Sequence, residues 1–482
     1  MSLARNTAYN LIGSAIPLAA SLVTVPFYLK VIGLERYGLL AICWVILGYM
    51  EVFEFGLGTA TAQRVALLKD SGRKARSETV WGSLFLSLTL GAAGALLFTA
   101  VGPAVLHATM EQRSSFTREV ADAVVWLALL IPLTTCQSAL AGALQGRQQF
   151  LRLNLIRGIG SAAFAVAPLA AAISIGPGLR VLIIALAVVR ASTVVTLLVA
   201  CRSAVPLGPA KLPSSTTLKS LLSFGGWVTG EGLLAPLLLS AEKLAIGWFM
   251  TATAVSLYMI PFNVLSRLLL LPQSLAGALI PRFAGMDEAR AGATTREALR
   301  NLELLTTPLA VLALLVLKPF LLVWIGPTLA DDCAPIGIIL VVGFWFNSFS
   351  HVPYAQLIGT GRPDLVVKIT LLQFLPYLAL LYVIVPTGGV IGAAVAWSGR
   401  NALELVLFVA ATRELHLLSQ ITLIPAILVV AAAAIAFFAP PPSIAGTVSL
   451  LVIVTAAVVR MVGTLPTQRS EFLGAVRPRD LR

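Results

Sequence analysis

Long apolar segments alternate along the chain with short polar connections. Segments of spanning length fall at about 10–32, 37–60, 80–102, 121–145, 153–175 and 179–201, and again at about 221–242, 250–280, 302–325, 334–358, 365–385, 388–411, 421–439 and 443–464. Most are near the roughly 20 residues that an α-helix needs to cross a bilayer. A longer polar stretch, Arg202 to Ser220 with Pro206, Pro209 and Pro213, separates the first group from the second. The pattern predicts an all-α polytopic membrane protein of about 14 transmembrane helices; twelve is the alternative if the last two segments are misread. The polar start, Met1 to Asn10, runs into apolar sequence without an A-x-A cleavage site. That segment is therefore expected to be a first span and not a removed signal peptide.

Composition points the same way. The 482 residues are 58% hydrophobic and only 11% charged, against roughly 25% charged in soluble domains. So few charges cannot cover a water-facing surface. A soluble enzyme, a disulfide-stapled secreted domain and a disordered chain are excluded. Cys43, Cys136, Cys201 and Cys333 are scattered without a CxxC pair and read as small hydrophobes in or beside helices.

Lys and Arg number 34 against 21 Asp and Glu, a net charge of +13. In a soluble protein this would raise nucleic acid as a partner; here it reflects the excess of cations in cytoplasmic loops. With a cytoplasmic N-terminus, the even-numbered connections are basic. They carry Arg64, Lys69, Arg73, Lys74 and Arg76, then Arg147, Arg152 and Arg157, then Arg202, Lys211 and Lys219, then Arg282, Arg290, Arg296 and Arg300. The other side holds few: Lys30, Arg36, Arg113, Arg118, Arg180, Lys243 and Lys318. Both termini are expected in the cytoplasm.

The two halves look like copies. Arg64 in "AQRVA" matches Arg282 in "IPRFA", "LQGRQQFLRLN" around Gly146 resembles "IGTGRPDLVVK" around Gly361, and Tyr37 matches Tyr258. An even number of spans per copy keeps both in one orientation. The expected organisation is a six-helix lobe at 1–201, a cytoplasmic linker at 202–219, a second six-helix lobe at 220–412, two additional helices at 413–464 and a cytoplasmic tail at 465–482.

Missing motifs narrow the function. There is no P-loop and no HExxH, and His107, His351 and His416 are far apart, so neither a metal nor a cofactor is expected. No connection is long enough to be a catalytic domain. The economical reading is a transporter or flippase and not an enzyme.

The opening "NLIGSAIPLAASLVTVPFYLKVIGLERYGLLAI", followed by "FEFGLGTATAQRVA", resembles Wzx-type oligosaccharide flippases. These belong to the multidrug/oligosaccharidyl-lipid/polysaccharide exporter superfamily. "ALQGRQQFLRLNLIR" and the stretch from "FGGWVTGEGLLAP" to "LAGALIPRFA" are similar to the same family, as is "HVPYAQLIGTGRPDLVVK". The resemblance implies two six-helix lobes in a V around a central cleft lined by helices 1, 2, 7 and 8. It also implies that a polyprenyl-pyrophosphate-linked oligosaccharide moves between leaflets by alternating access, for surface polysaccharide biosynthesis.

Charges inside spans cost about 2.5–3.5 kcal/mol each on insertion scales and usually face a cavity or a partner. Those at depth are Glu51, Glu54, Arg190, Glu231, Arg267, Arg400 and Glu404. A pyrophosphate needs fixed cations, and Arg forks onto phosphate oxygens. Arg267 is the first candidate for substrate binding, with Lys30, Arg190 and Arg400 behind it. Glu51, Glu54 and Glu231 are candidates for gating or ion coupling. The structural reading stands beside each of these. Arg400 and Glu404, four residues apart on one helix, can neutralise each other, and Glu242 with Lys243 is expected to snorkel towards headgroups. The stretch 282–301 reads as a cytoplasmic amphipathic segment held at anionic lipids. Membrane lipids are expected contacts of a monomer, with a polysaccharide polymerase and glycosyltransferases as candidate partners and no nucleic acid. The competing functions are a cation-coupled multidrug-type exporter, a lipid II flippase, and a membrane-embedded glycosyltransferase or polymerase, for which the outer loop near 103–120 is too small.

Overall fold

The computed structural model describes residues 20, 23–50, 54, 56–68, 73–110, 117–205, 208–209, 214, 218, 238, 240–283, 286–416, 423–439 and 443–475. Among these there are helices and turns and no strand, as a bilayer requires: no water reaches its core, so backbone N–H and C=O groups must pair within each segment. Residues 23–31 form α1. There follow α2 (Gly33–Met50), α3 (Leu57–Leu67), α4 (Arg73–Met110), α5 (Thr117–Gly146), α6 (Phe150–Ser174) and α7 (Leu179–Ala204). After α8 (240–249) come α9 (Ala252–Leu265), a 3-10 turn at Ser266–Leu269, α10 (Leu270–Phe283), α11 (Glu288–Ile325), α12 (Pro327–Gly359), α13 (Pro363–Ala411), α14 (Leu423–Phe438) and α15 (Ile444–Ala475). Among the described residues, eight helical segments are long and apolar enough to cross a membrane, and α14 and residues 444–459 of α15 add shorter apolar stretches. The molecule is an all-α, multi-pass membrane protein.

The helices depart from the expected spans where particular residues intervene. The span expected at 37–60 is broken: α2 ends at Met50, and α3 begins after Gly56, whose φ is +62°. The span expected at 250–280 is interrupted by the 3-10 turn. Pro272 supplies the reason, since it has no N–H for the carbonyl four residues back and its ring crowds that carbonyl. The chain tightens instead, and the Leu270 N–H bonds the Arg267 carbonyl three residues back. The spans expected at 365–385 and 388–411 run on without a polar loop, meeting at Gly389, where φ is +60° and ψ −148°. The expected connection at 282–301 is mostly helix. Asp287 caps α11 by accepting the Arg290 N–H at 2.8 Å, which satisfies one orphan donor of the first turn.

The described chain divides into two compact units, Met1–Ser256 and Leu257–Arg482. The division falls inside α9, downstream of the linker expected at 202–219, because the start of α9 is held by α2. The Ser256 hydroxyl donates to the Leu34 carbonyl at 2.7 Å. Gly38 lets the Ala252 carbonyl come so near that a Cβ there would sit 1.8 Å from its oxygen.

Each unit repeats one local design. In the first, α5 packs against α3, α4 and α7; in the second, α12 packs against α10, α11 and α13. Gly146, at the end of α5, admits the Ala62 carbonyl of α3, and a Cβ would lie 2.5 Å from it. Gly359, at the end of α12, admits the Ile280 carbonyl of α10, with a Cβ 2.6 Å away. Both helices then close with the same Schellman-type bond, Gln149 N–H to Leu144 C=O at 3.0 Å and Arg362 N–H to Leu357 C=O at 2.8 Å. A left-handed residue precedes each donor: Gln148 with φ +58° and Gly361 with φ +79°. Tyr37 and Tyr258 are both fully buried. In the second unit α14 and α15 pack against α11.

Candidate functional site

In the first unit, α5, α6 and α7 bring polar side chains to one face at span depth. Arg190 lies in the interior of α7. Its Nη1 donates to the Gln137 amide oxygen of α5 at 3.1 Å. Its guanidinium carbon lies 4.7 Å from the ring centroid of Phe164 on α6, within the range of a cation–π contact. Around it opens a cleft of about 130 Å³ lined by Gln137, Arg157, Gly160, Ser161, Phe164, Val189, Arg190 and Thr193. A second cavity of about 300 Å³ shares Ser161, Phe164 and Arg190 and adds Trp44, Leu47, Gly48 and Ala165. Arg157 was expected in a cytoplasmic connection. It sits instead two turns inside α6, because the helix begins at Phe150.

Glu54 is the described member of the acidic trio. Its carboxylate accepts from the Ser138 hydroxyl of α5 and from the Gly58 N–H at 3.2 Å, at the start of α3. Glu51 and Glu231 lie outside the described residues. Lys30 is exposed on α1. Near the same end of the unit Arg36 forms a forked pair with Glu119, at 2.7 and 3.2 Å. The same carboxylate accepts the Leu179 N–H at 3.2 Å, so one acid ties α2 and α5 to the N-terminus of α7. The Arg36 guanidinium holds the Glu119 carboxyl below its ordinary range. Glu242 and Lys243 do not snorkel: both are buried and pair with each other at 3.1 Å.

In the second unit Arg267 sits on the 3-10 turn that splits the α9–α10 span. It is half-buried, and its buried Nε has no hydrogen-bond partner among the described residues. Arg400 is the opposite case. Buried in α13, it donates to Glu404 at 2.9 Å and to the Asn401 side chain at 3.2 Å, and its guanidinium carbon lies 5.4 Å from the Tyr377 ring centroid. Asn401 in turn accepts from Asn347 at 2.8 Å. Arg400 is thus held by Glu404, Asn401 and Tyr377, although its Nε, like that of Arg267, has no hydrogen-bond partner among the described residues; Arg267 is held by less.

The sequence reading named the cations and missed the groups that shape their surroundings: Trp44, Gln137, Ser138, Ser161 and Phe164. A signal was present. Arg157 and Ser161 are four residues apart on α6, and Arg190 and Thr193 three apart on α7, so each pair shares a helix face in otherwise apolar sequence. No group of His, Cys, Asp and Glu that could hold a metal occurs among the described residues.

The family model described as "Polysaccharide biosynthesis protein" matches residues 3–287. A Shigella flexneri protein named "Putative O-antigen transporter" is 24% identical over 408 residues, which cover 84% of this chain and 97% of that one. The structure of a lipid II flippase in an inward closed conformation superposes with a TM-score of 0.75 at 11% identity, covering 95% of this chain and 99% of the other. An inward-facing multidrug resistance MATE family transporter of the MOP superfamily gives a TM-score of 0.68 at 15% identity, covering 86% of this chain and 100% of the other. At these identities the two structures establish a common fold.

Proposed function

The chain belongs to the polysaccharide biosynthesis protein family, and on that premise we propose that it is a flippase. Its cargo is a polyprenyl-pyrophosphate-linked oligosaccharide repeat unit, moved across the bacterial inner membrane for surface polysaccharide biosynthesis. The observation that carries the reading is the match to the Shigella transporter over nearly the whole of both chains. The physics of the cargo agrees with it. A pyrophosphate cannot enter roughly 30 Å of hydrocarbon unaccompanied; it needs a protein path with cations at depth. Arg190 and Arg267 supply such cations within spans. Lys30 serves at the path's edge, and Arg400 supports it from its network on α13. Glu51, Glu54 and Glu231 serve gating or ion coupling. A cation-accepting exporter fits less well, since the cavities around Arg190 carry two arginines and no carboxylate among their described lining residues.

The movement is alternating access between lobes 1–201 and 220–412, without a bond-making step, in a monomer whose termini face the cytoplasm. Membrane lipids surround it, and a polysaccharide polymerase and glycosyltransferases act beside it. The test is complementation: the chain is expressed in a strain lacking its O-antigen flippase, and surface polysaccharide is scored alongside protein level. Restored polysaccharide supports the reading. A well-expressed chain that restores none in strains making several different repeat units overturns it.

A further inference from the structure

The span that carries Arg267 is pinned to α12 on both sides of its 3-10 turn. On the α9 side the ring of Phe262 lies 5.2 Å from that of Phe344, and a Cβ at Gly337 would stand 3.2 Å from the Pro261 Cβ. On the α10 side a Cβ at Gly359 would stand 2.5 Å from the Phe283 Cβ. α12 packs against the turn itself as well. Between these fixed points Pro272 withholds an N–H from the carbonyl four residues back. That carbonyl belongs to Leu268, inside the turn Ser266–Leu269. Pro261 sits in α9 without breaking it, so a missing donor is not sufficient; at Pro272 the gap falls between two pinned segments. The turn winds about 120° per residue where an α-helix winds about 100°. Arg267 is second of the four residues, and is advanced by about 40° from its place in a continuous helix. At about 6 Å from the helix axis this moves the guanidinium by about 4 Å, more than a hydrogen bond tolerates.

We propose that Pro272 is a positioning residue for Arg267: it holds the turn that aims this guanidinium at the cargo's pyrophosphate. The inference deepens the flippase reading and rests on it for the cargo. In this role Pro272 acts through Arg267 and makes no contact with cargo. The Arg267 Nε is buried without a hydrogen-bond partner among the described residues, so the direction of the head group falls to the backbone turn. The Ser266 hydroxyl, which donates to the Asn263 carbonyl at 2.9 Å, closes the turn on its other side.

The test is a double-mutant cycle on transport in proteoliposomes, with a fluorescent polyprenyl-pyrophosphate-linked oligosaccharide as the probe. Pro272→Ala returns an N–H to the Leu268 carbonyl and should slow transport about tenfold, within the range of one charge-assisted contact. In an Arg267→Ala background the same change should cost nothing further, since a residue that acts through another loses its effect with it. A merely structural proline would cost as much in both backgrounds. A second arm reads direction without transport. In a chain with Cys43, Cys136, Cys201 and Cys333 replaced by Ala, the thiol introduced by Arg267→Cys is labelled with a cationic methanethiosulfonate. Adding Pro272→Ala should lower the labelling rate several-fold. Melting curves confirm that each variant is folded. Three results overturn the assignment: full transport by Pro272→Ala, equal losses in both backgrounds, or a labelling rate that does not fall. If the parent chain restores no polysaccharide in complementation while labelling falls as expected, the flippase reading is sunk and the aiming of position 267 stands. Restored polysaccharide with any of those three results does the reverse.

Discussion

Arg267 and Arg400 are both arginines inside spans, and replacing each by Ala should move stability in opposite directions. Arg267 is half-buried on a 3-10 turn, with an unsatisfied Nε among the described residues. A lone guanidinium at span depth costs about 2.5–3.5 kcal/mol on insertion scales. Its removal therefore relieves on the order of 1–3 kcal/mol once snorkelling is allowed for. On the proposed function, the same change deletes a charge-assisted contact to the cargo's pyrophosphate, worth about 1.5–3 kcal/mol, or roughly ten- to a hundredfold in transport. Arg400 is paired, with only 5% of its side chain exposed and Glu404 at 19%. Taking it away strands the Glu404 carboxylate and leaves Asn401 short of a donor, at about 3 kcal/mol or more. Arg267→Ala should thus melt no lower than the parent in detergent, by intrinsic tryptophan fluorescence, while polysaccharide output in a flippase-null strain collapses. Arg400→Ala should melt clearly lower and lose protein level. Arg267→Lys keeps the charge without the fork and should retain partial output. An Arg267→Ala protein with full output and a lowered melting temperature would refute the assignment and make this cation structural.

The Arg36–Glu119 clamp should be pH-dependent. Glu119 has its folded pKa lowered, so its contribution is present above the unfolded carboxyl value of about 4.3 and is lost as pH falls through the lower folded value. Melting temperatures of the parent and Glu119→Gln should differ by a constant margin from pH 7 to about 5.5 and draw together as pH falls below the unfolded carboxyl value of about 4.3; a gap that widened with acid would contradict the clamp. The twin close approaches at Gly146 and Gly359 should respond alike: Gly146→Ala and Gly359→Ala should each cost about 1–3 kcal/mol by overpacking. The double variant should be close to their sum, since the sites belong to separate units. A neutral Gly359→Ala would show that α10 and α12 are not in backbone contact.

The spans were legible because hydrocarbon imposes one rule on every helix: about 20 apolar residues with internally satisfied backbone. The repeat was legible near Gly146 and Gly361 but two residues out of register: the close approach pairs Gly146 with Gly359 and the left-handed position pairs Gln148 with Gly361, since a Schellman closure and a close helix approach demand small or left-handed residues at fixed spacing. The 3-10 turn could have been read from Pro272 but was overridden by unbroken hydropathy around it. Arg157 was misread as a loop residue because a short polar run looks the same at a helix end and two turns inside a helix. The buried Glu242–Lys243 pair was missed because adjacent opposite charges near a span end usually reach water, and only packing reveals that these do not. Arg400 could be paired with Glu404 from their spacing alone. Arg190 could not be joined to Gln137 and Phe164 that way: the three come from α7, α5 and α6, whose rotation about their axes the sequence leaves open.

Transport itself is the most direct measurement. The purified chain would be reconstituted into proteoliposomes with a fluorescent polyprenyl-pyrophosphate-linked oligosaccharide in both leaflets, and a membrane-impermeant glycosidase would report the outer pool over time. The account predicts that the protected pool drains in the presence of the chain, at a rate that Arg267→Ala reduces roughly ten- to a hundredfold. A protected pool that stays constant with well-folded protein, under every imposed ion gradient, would contradict it.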